Sequence, residues 1–285
     1  MTPAVLMCRP DHFGIEYEIN PWMHVAVKVD HALAATQWEA LHRTYLDLGV
    51  AIELATPVDG LPDMVFTANA AVLWDDRAVL SNFHHAERQG EEAHWRLELE
   101  RLGYDVHELP RSLSFEGAGD ALFLGDRLFC GYGFRTDRES HHPVARILDV
   151  DFVSLELVDP RFYHLDTCFC PLDATNVLAA PDAFAPASLR LIRELVPNLI
   201  EVPVEVAAGF ACNAMPLGGH VLSSMTISQM EGPLKAAGYT PIPLAMGEFL
   251  KAGGGVRCLS LPLGDGERGL GVPTGRNAQG RSNNL

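Results

Sequence analysis

No stretch of this chain reaches the ~18 consecutive apolar residues of a membrane-spanning helix, and the N-terminus, "MTPAVLMCRPDHFG", lacks both a basic start and a long apolar core. The first absence argues against a membrane protein and the second against a secretory signal. Among six cysteines (Cys8, Cys130, Cys168, Cys170, Cys212 and Cys258) there is no Cys-x-x-Cys pair. The scatter points to free thiols in a reducing cytoplasm. Blocks of Lys or Arg are missing too: 21 basic residues face 37 acidic ones, a formal charge of −16. Such a chain repels nucleic acid and anionic membrane, and it tolerates or attracts a small cationic substrate.

What is present is a soluble, globular composition, 48% hydrophobic and 20% charged over 285 residues. That length buries a substantial core and allows either one large domain or two small ones. The order within the chain decides between them. Amphipathic helical stretches end alike in "YLDLGVAIELA" (45–55), "LERLGYDVHELP" (99–110) and "LKAAGYTPIPL" (234–244), each with a Gly suited to a left-handed stop and then a short strand. "ILDVDFVSLELV" and "LVPNLIEVP" repeat the design with other turn residues. Hairpin-like pairs precede these helices, with turns near residues 75, 125, 173 and 218. A period of about fifty residues predicts four strand–turn–strand–helix–strand units. A fifth is completed by joining the C-terminal "VRCLSLPL" to the N-terminal "AVLMCRP" and the helix that follows it.

The expectation is therefore one closed α/β domain over residues 1–272, a five-bladed pseudo-symmetric propeller of ββαβ-type modules. A doubly wound parallel sheet would need crossover helices where the hairpin turns stand. The polar, Gly-rich residues 273–285 read as a flexible tail.

A closed array has a central channel, and four stretches have the character of its lining. In "FEGAGDALF", Glu116 and Asp120 are separated by three small residues that permit close approach of a ligand; a turn with solvated acids is an equal reading. In "YHLDTCF", His164 and Asp166 share one face if a strand starts there, an arrangement suited to acid–base work beside a cation. Cys168 and Cys170 continue the alternation, but in so apolar a run they read as core residues and no metal site is assigned. "LPDMVFTANAA" carries Asp63 and Asn69. In "GGGVRCLSLPL", three glycines would let the backbone approach a ligand, with Cys258 anchored on the buried strand that follows. A nucleophilic thiol needs access and a nearby acid–base group; simple packing at a strand start is the alternative.

Taken together, the repeat, "FEGAGD", "HLD" and the glycine-rich loop before a C-terminal Cys resemble the guanidino-group-modifying enzymes: arginine deiminase, dimethylarginine dimethylaminohydrolase, arginine dihydrolase and the amidinotransferases. The resemblance spans "MCRP" to "SLPL" and implies the five-bladed pentein fold, covalent thiol catalysis and no cofactor. It makes Cys258 the nucleophile, His164 the general acid and base, and Glu116 the supporting carboxylate. Asp120 and Asp166 would grip the guanidinium, and Arg135 in "GYGFRTD" would pair with the substrate's α-carboxylate. "YEINPWM" and "FTAN" are most similar to the dihydrolase branch, which brings Asn20, Asp63 and Asn69 among the substrate-binding candidates.

The expected activity is hydrolysis of arginine to ornithine, carbon dioxide and ammonia. The alternatives are hydrolysis of methylated arginine to citrulline, amidino transfer, or a non-catalytic propeller like the ribosome anti-association factors. A homo-oligomer is compatible with all of these.

Overall fold

Turns fall where the backbone goes left-handed. Gly49 (φ 77°) stops the first helix, and Gly125 (φ 62°) sits in a two-residue hairpin turn whose twist requires positive φ. Elsewhere an aspartate does the same work: Asp75 (φ 52°) in a hairpin and Asp149 (φ 57°) after a helix. Asp173 closes its hairpin differently, with Oδ1 accepting from the amides of Thr175 and Asn176.

The computed structural model describes residues 3–264; the expected tail and the end of the expected 1–272 domain lie outside the described residues. The chain opens with β1 (Ala4–Cys8), α1 (His31–Asp47) and β2 (Ala51–Ala55). Asp30 caps α1, its side chain accepting from the Leu33 amide, and Ala34, Trp38, Leu41 and Tyr45 form the buried stripe. The second module is β3 (Ala71–Trp74), β4 (Arg77–Leu80), α2 (Ala86–Gln89), α3 (Glu92–Arg101) and β5 (Asp105–His107). The third is the single turn α4 (Gly117–Asp120), then β6 (Ala121–Leu124), β7 (Arg127–Tyr132), α5 (His141–Leu148) and β8 (Asp151–Glu156). The fourth is β9 (Phe169–Pro171), β10 (Asn176–Ala179), α6 (Pro186–Leu195) and β11 (Asn198–Glu201). The fifth is α7 (Val204–Ala208), β12 (Met215–Leu217), β13 (His220–Ser224), α8 (Glu231–Ala236) and β14 (Thr240–Leu244). α9 (Gly247–Leu250) leads to β15 (Leu261–Pro262), which pairs antiparallel with β1.

These strands form five three-stranded sheets among the described residues. In each, the middle strand pairs antiparallel with its hairpin partner and parallel with the strand beyond the helix, as β4 does with β3 and β5. The first module is assembled from both ends of the described chain, in the order β15-β1-β2. This is the five-module pentein α/β fold. The inner two strands of each sheet are apolar on both faces, so alternate residues of one strand enter different cores. Val5 and Met7 pack into one cluster and Leu6 and Cys8 into the next. Leu122 and Leu124 likewise diverge from Ala121 and Phe123. Each blade is thereby wedged between two neighbours.

Two local expectations are corrected. The strand expected over "VRCLSLPL" is confined to Leu261–Pro262, and Cys258 lies in the turns before it. "HLDTC" is a 3-10 turn over Leu165–Thr167, with the strand beginning at Phe169, so His164 and Asp166 do not share a strand face. Buried side chains drive both departures, because Asp166 and Cys258 turn inward to meet each other.

Candidate active site

The repeat places one segment in each module immediately before the first strand of its hairpin. Asn69 precedes β3, Glu116 and Asp120 precede β6, His164 and Asp166 precede β9, and Cys258 precedes β15. The fifth module offers Asn213 before β12. All seven are buried. Because each of these segments stands at the start of its module's hairpin, the fold gathers residues distant in sequence.

Glu116 is the anchor of the acid–base pair. His164 Nε2 lies 2.7 Å from Glu116 Oε2, which also accepts from Arg135 Nη1 at 2.9 Å. Glu116 Oε1 accepts from the His84 amide at 3.2 Å. Burial alone would raise this carboxyl, but Arg135 and His164 outweigh it and hold Glu116 well below the ordinary carboxylate range. An ionised Glu116 fixes the orientation of the imidazole. His164 Nδ1 is buried without a hydrogen-bond partner among the described residues.

Cys258 Sγ donates to Asp166 Oδ2 at 3.3 Å and accepts from Asn213 Nδ2 at 3.1 Å. Burial, then the Asp166 charge, pushes the thiol up, against the opposing pull of the Gly255 amide and Asn213. Burial also raises Asp166 to about 7 despite the bond from Cys258 and the charge of Arg257. Asp166 Oδ1 has no partner among the described residues.

The other sequence candidates divide by what they already hold. Asp120 is committed to the protein: Oδ2 accepts from Thr136 Oγ1 at 2.7 Å and Oδ1 from the Leu165 amide at 2.9 Å. It braces the turn that carries His164 and Asp166. Arg135 spans Glu116 and the Ile19 carbonyl, with its guanidinium 4.8 Å from the centre of the Tyr163 ring. Asn20 Nδ2 donates to the Ala252 carbonyl and its Oδ1 accepts from Trp22 and Met23, so it shapes a loop. Asp63 Oδ2 accepts from Tyr17 at 3.0 Å, while Oδ1 is unpartnered among the described residues. Asn69 Oδ1 accepts from Arg88 Nη1 at 2.8 Å, leaving its Nδ2 buried and unpartnered among the described residues. A Cβ on Gly119 would lie 2.4 Å from Asn69 Nδ2 and 3.1 Å from His164 Nδ1, which places both beside that glycine.

Buried polar atoms without partners concentrate where a ligand completes the network. Here they include a carboxylate oxygen on each of Asp63 and Asp166, an amide nitrogen on Asn69 and an imidazole nitrogen on His164. The two carboxylate oxygens suit a flat cation bearing several N–H groups, next to a thiol and a histidine, whereas the Asn69 amide N–H calls for an acceptor. A broad groove of about 950 Å³ around Trp74, His142 and Arg146 shares none of these residues.

The glycine run also makes room for neighbouring side chains. A Cβ on Gly254 would lie 2.2 Å from the Phe66 ring, and one on Gly253 (φ 83°) 2.9 Å from Asn20 and Tyr163. The glycines admit neighbouring side chains, and Tyr163 donates to the Gly253 carbonyl at 2.7 Å. Sequence reasoning missed Arg88, Tyr163 and Asn213. Arg88 sits in a charged helical stretch, "AERQGEE", with nothing to mark its burial; Asn213, an amide inside the apolar "ACNAM", did carry a signal.

A family model described as "N,N dimethylarginine dimethylhydrolase, eukaryotic" matches residues 9–264. ArgZ of Synechocystis sp., named a bifunctional arginine dihydrolase/ornithine cyclodeaminase, is 44% identical over 262 residues, covering 90% of this chain and 37% of that protein. The chain thus spans little more than a third of that relative. The N(G),N(G)-dimethylarginine dimethylaminohydrolase of Mycobacterium tuberculosis is 41% identical over 262 residues, covering 92% of this chain and 86% of that one. Among solved structures, a cysteine-to-serine variant of the N-terminal domain of ArgZ bound to substrate has a TM-score of 0.89 at 41% identity, with 93% of this chain and 99% of that chain covered. An asparagine-to-serine variant of the same domain, covalently bonded to a reaction intermediate, also gives 0.89 at 41% identity, with the same coverage.

Proposed function

This chain belongs to the N,N-dimethylarginine dimethylhydrolase family, and from that premise we propose that it hydrolyses the guanidino group of arginine twice, giving ornithine, carbon dioxide and two ammonia. Its guanidinium lies against Asp166, whose Oδ1 has no partner among the described residues. A cation there favours the ionised carboxylate and offsets the burial that keeps Cys258 protonated. Cys258 Sγ passes its proton to His164 and attacks the guanidino carbon. The carbon–nitrogen bond to one terminal nitrogen breaks as His164 supplies the proton that releases ammonia, leaving a thiouronium on Cys258. His164, now neutral, takes a proton from water; the water adds to carbon and the carbon–sulfur bond breaks, giving a ureido group.

Asn69 carries the step from one hydrolysis to two. A neutral ureido oxygen finds no partner among carboxylates arranged for a cation, but an amide N–H can donate to it. Asn69 Nδ2 is such a donor, fixed in orientation because Oδ1 accepts from Arg88. The retained ureido group undergoes a second attack by Cys258; ammonia leaves, and hydrolysis of the thiocarbamate gives ornithine and carbon dioxide. ArgZ supports this reading, since its substrate and intermediate complexes were captured in variants that change a cysteine and an asparagine. In this reading Asp63, whose Oδ1 has no partner among the described residues, takes the α-ammonium and Arg135 the α-carboxylate.

A second reading, methylated arginine to citrulline, is favoured by one observation: the Mycobacterium tuberculosis relative matches over most of its own length. Product analysis separates the two. The proposed activity releases about two ammonia and one ornithine per arginine, and Asn69→Asp shifts the product toward citrulline. Citrulline alone from arginine, or turnover of dimethylarginine with arginine ignored, overturns it.

A further inference from the structure

Four modules bring sequence-recognised site residues to the starts of their hairpins, and in the fifth the equivalent position is Asn213, two residues before β12. Its side chain is fully buried and engaged at both ends. Oδ1 accepts three backbone amides, from Gly255 at 3.1 Å, Arg257 at 3.1 Å and Cys258 at 3.2 Å. Converging N–H groups of this kind form a nest for an anion or a carbonyl oxygen. They also settle which way the amide faces, because only its oxygen can accept them. Nδ2 is therefore turned to the other side, where its hydrogens meet the Asp166 carbonyl at 3.3 Å and Cys258 Sγ at 3.1 Å.

We infer that Asn213 is a catalytic residue: its oxygen locks the turn bearing Cys258, and its N–H stabilises the Cys258 thiolate. This rests on the reading of Cys258 as nucleophile. A hydrogen bond from a neutral amide to sulfur strengthens when the sulfur becomes an anion and weakens when it becomes the sulfur of a covalent adduct. It favours the reactive form without holding the intermediate. Few other groups around the thiol help. Burial and the Asp166 charge disfavour its ionisation, while Arg257 is the cation that acts on Asp166. Asn213 and the Gly255 amide are the donors that act the other way. With burial and the Asp166 charge both pushing the thiol up, the N–H groups set against them are few, and removing one is expected to be felt.

Asn213→Asp separates locking from activation. The carboxylate keeps an oxygen in the nest, but it puts a second oxygen where the N–H had met sulfur. The measurement is the pH dependence of Cys258 alkylation by iodoacetamide, followed by intact mass and peptide mapping, beside kcat/KM for arginine. In a folded Asn213→Asp protein the alkylation midpoint moves up by a unit or more, and kcat/KM falls roughly 10–100-fold. If that variant does not fold, Asn213→Ser, whose hydroxyl is too short to reach sulfur, gives the same upward shift. An unchanged midpoint in either folded variant overturns the inference. Alkylation needs no turnover, so the midpoint remains decisive even if arginine is not the substrate. Modification of another cysteine in place of Cys258 overturns both this inference and the reading of the nucleophile.

Discussion

At the scale of single residues, the site holds buried carboxylates in opposite electrostatic conditions. Glu116 is held low by Arg135 and His164 against its burial; Asp166 is raised to about 7 by burial, with only partial compensation. Their contributions to stability run in opposite directions. Glu116 stabilises the fold above its unfolded pKa, and that contribution is lost as pH falls toward its folded value. Asp166 behaves in reverse: between about 4 and 7 the folded state holds a proton that the unfolded chain has released, so stability falls as pH rises through that window. Above 7 the loss is complete. Asp166→Asn is therefore expected to raise stability at pH 8 by roughly 1–3 kcal/mol, with the gain shrinking to nothing by about pH 4. The same variant loses on the order of 100-fold or more in kcat/KM, since a neutral amide neither holds the cation nor offsets its charge. Thermal melts at the two pH values check the first statement, and a stability gain independent of pH would contradict it. Function here opposes stability at a single side chain.

At the scale of elements, the loop from Gly253 to Cys258 is held by close packing. Gly254 lies against Phe66, which meets Phe13 edge-on with ring centroids 5.8 Å apart. A Cβ at position 254 cannot be accommodated without moving that buried ring or the loop. Gly254→Ala is expected to cost about 1–3 kcal/mol and to reduce turnover by shifting Cys258. Gly14→Ala, where a Cβ meets nothing within 4 Å, is the matched control and changes stability by no more than about 0.5 kcal/mol. Urea unfolding of both variants tests the contrast; equal costs would refute it. Elements were legible in sequence where local chemistry decides the backbone. Gly49 and Gly125 marked a helix stop and a hairpin turn because those conformations need positive φ. "HLDTC" and "VRCLS" looked like strands because their alternation is apolar, yet both are turns. Tertiary contacts decide there: Asp166 to Cys258, and Asn213 to three amides of the Cys258 turn. Arg88 was illegible for a related reason, since its partners Asp63, Asn69 and Glu91 converge on it only after folding.

At the scale of the whole molecule, closure of the array couples stability to catalysis. An open solenoid loses its end repeats first, each at the cost of one interface. Here the seam is the β1–β15 pairing, with Leu6 opposite Leu261, and both side chains lie in the core cluster that also buries Trp95 of the second module. The seam segment carries Cys258 only three residues before Leu261. Opening the ring and dismantling the active site are consequently the same event. Leu261→Ala removes a buried side chain at that seam and is expected to cost about 2–5 kcal/mol. Because the inner strands of neighbouring sheets share core clusters, the loss falls on the whole ring and the protein should still unfold in one cooperative step. Loss of activity, loss of far-ultraviolet circular dichroism and the change in tryptophan fluorescence should then share one midpoint, displaced together from the wild-type value. If activity is lost well before the fluorescence of buried Trp95 changes, the first module opens independently, and the ring is a chain of separable blades that happens to meet at its ends.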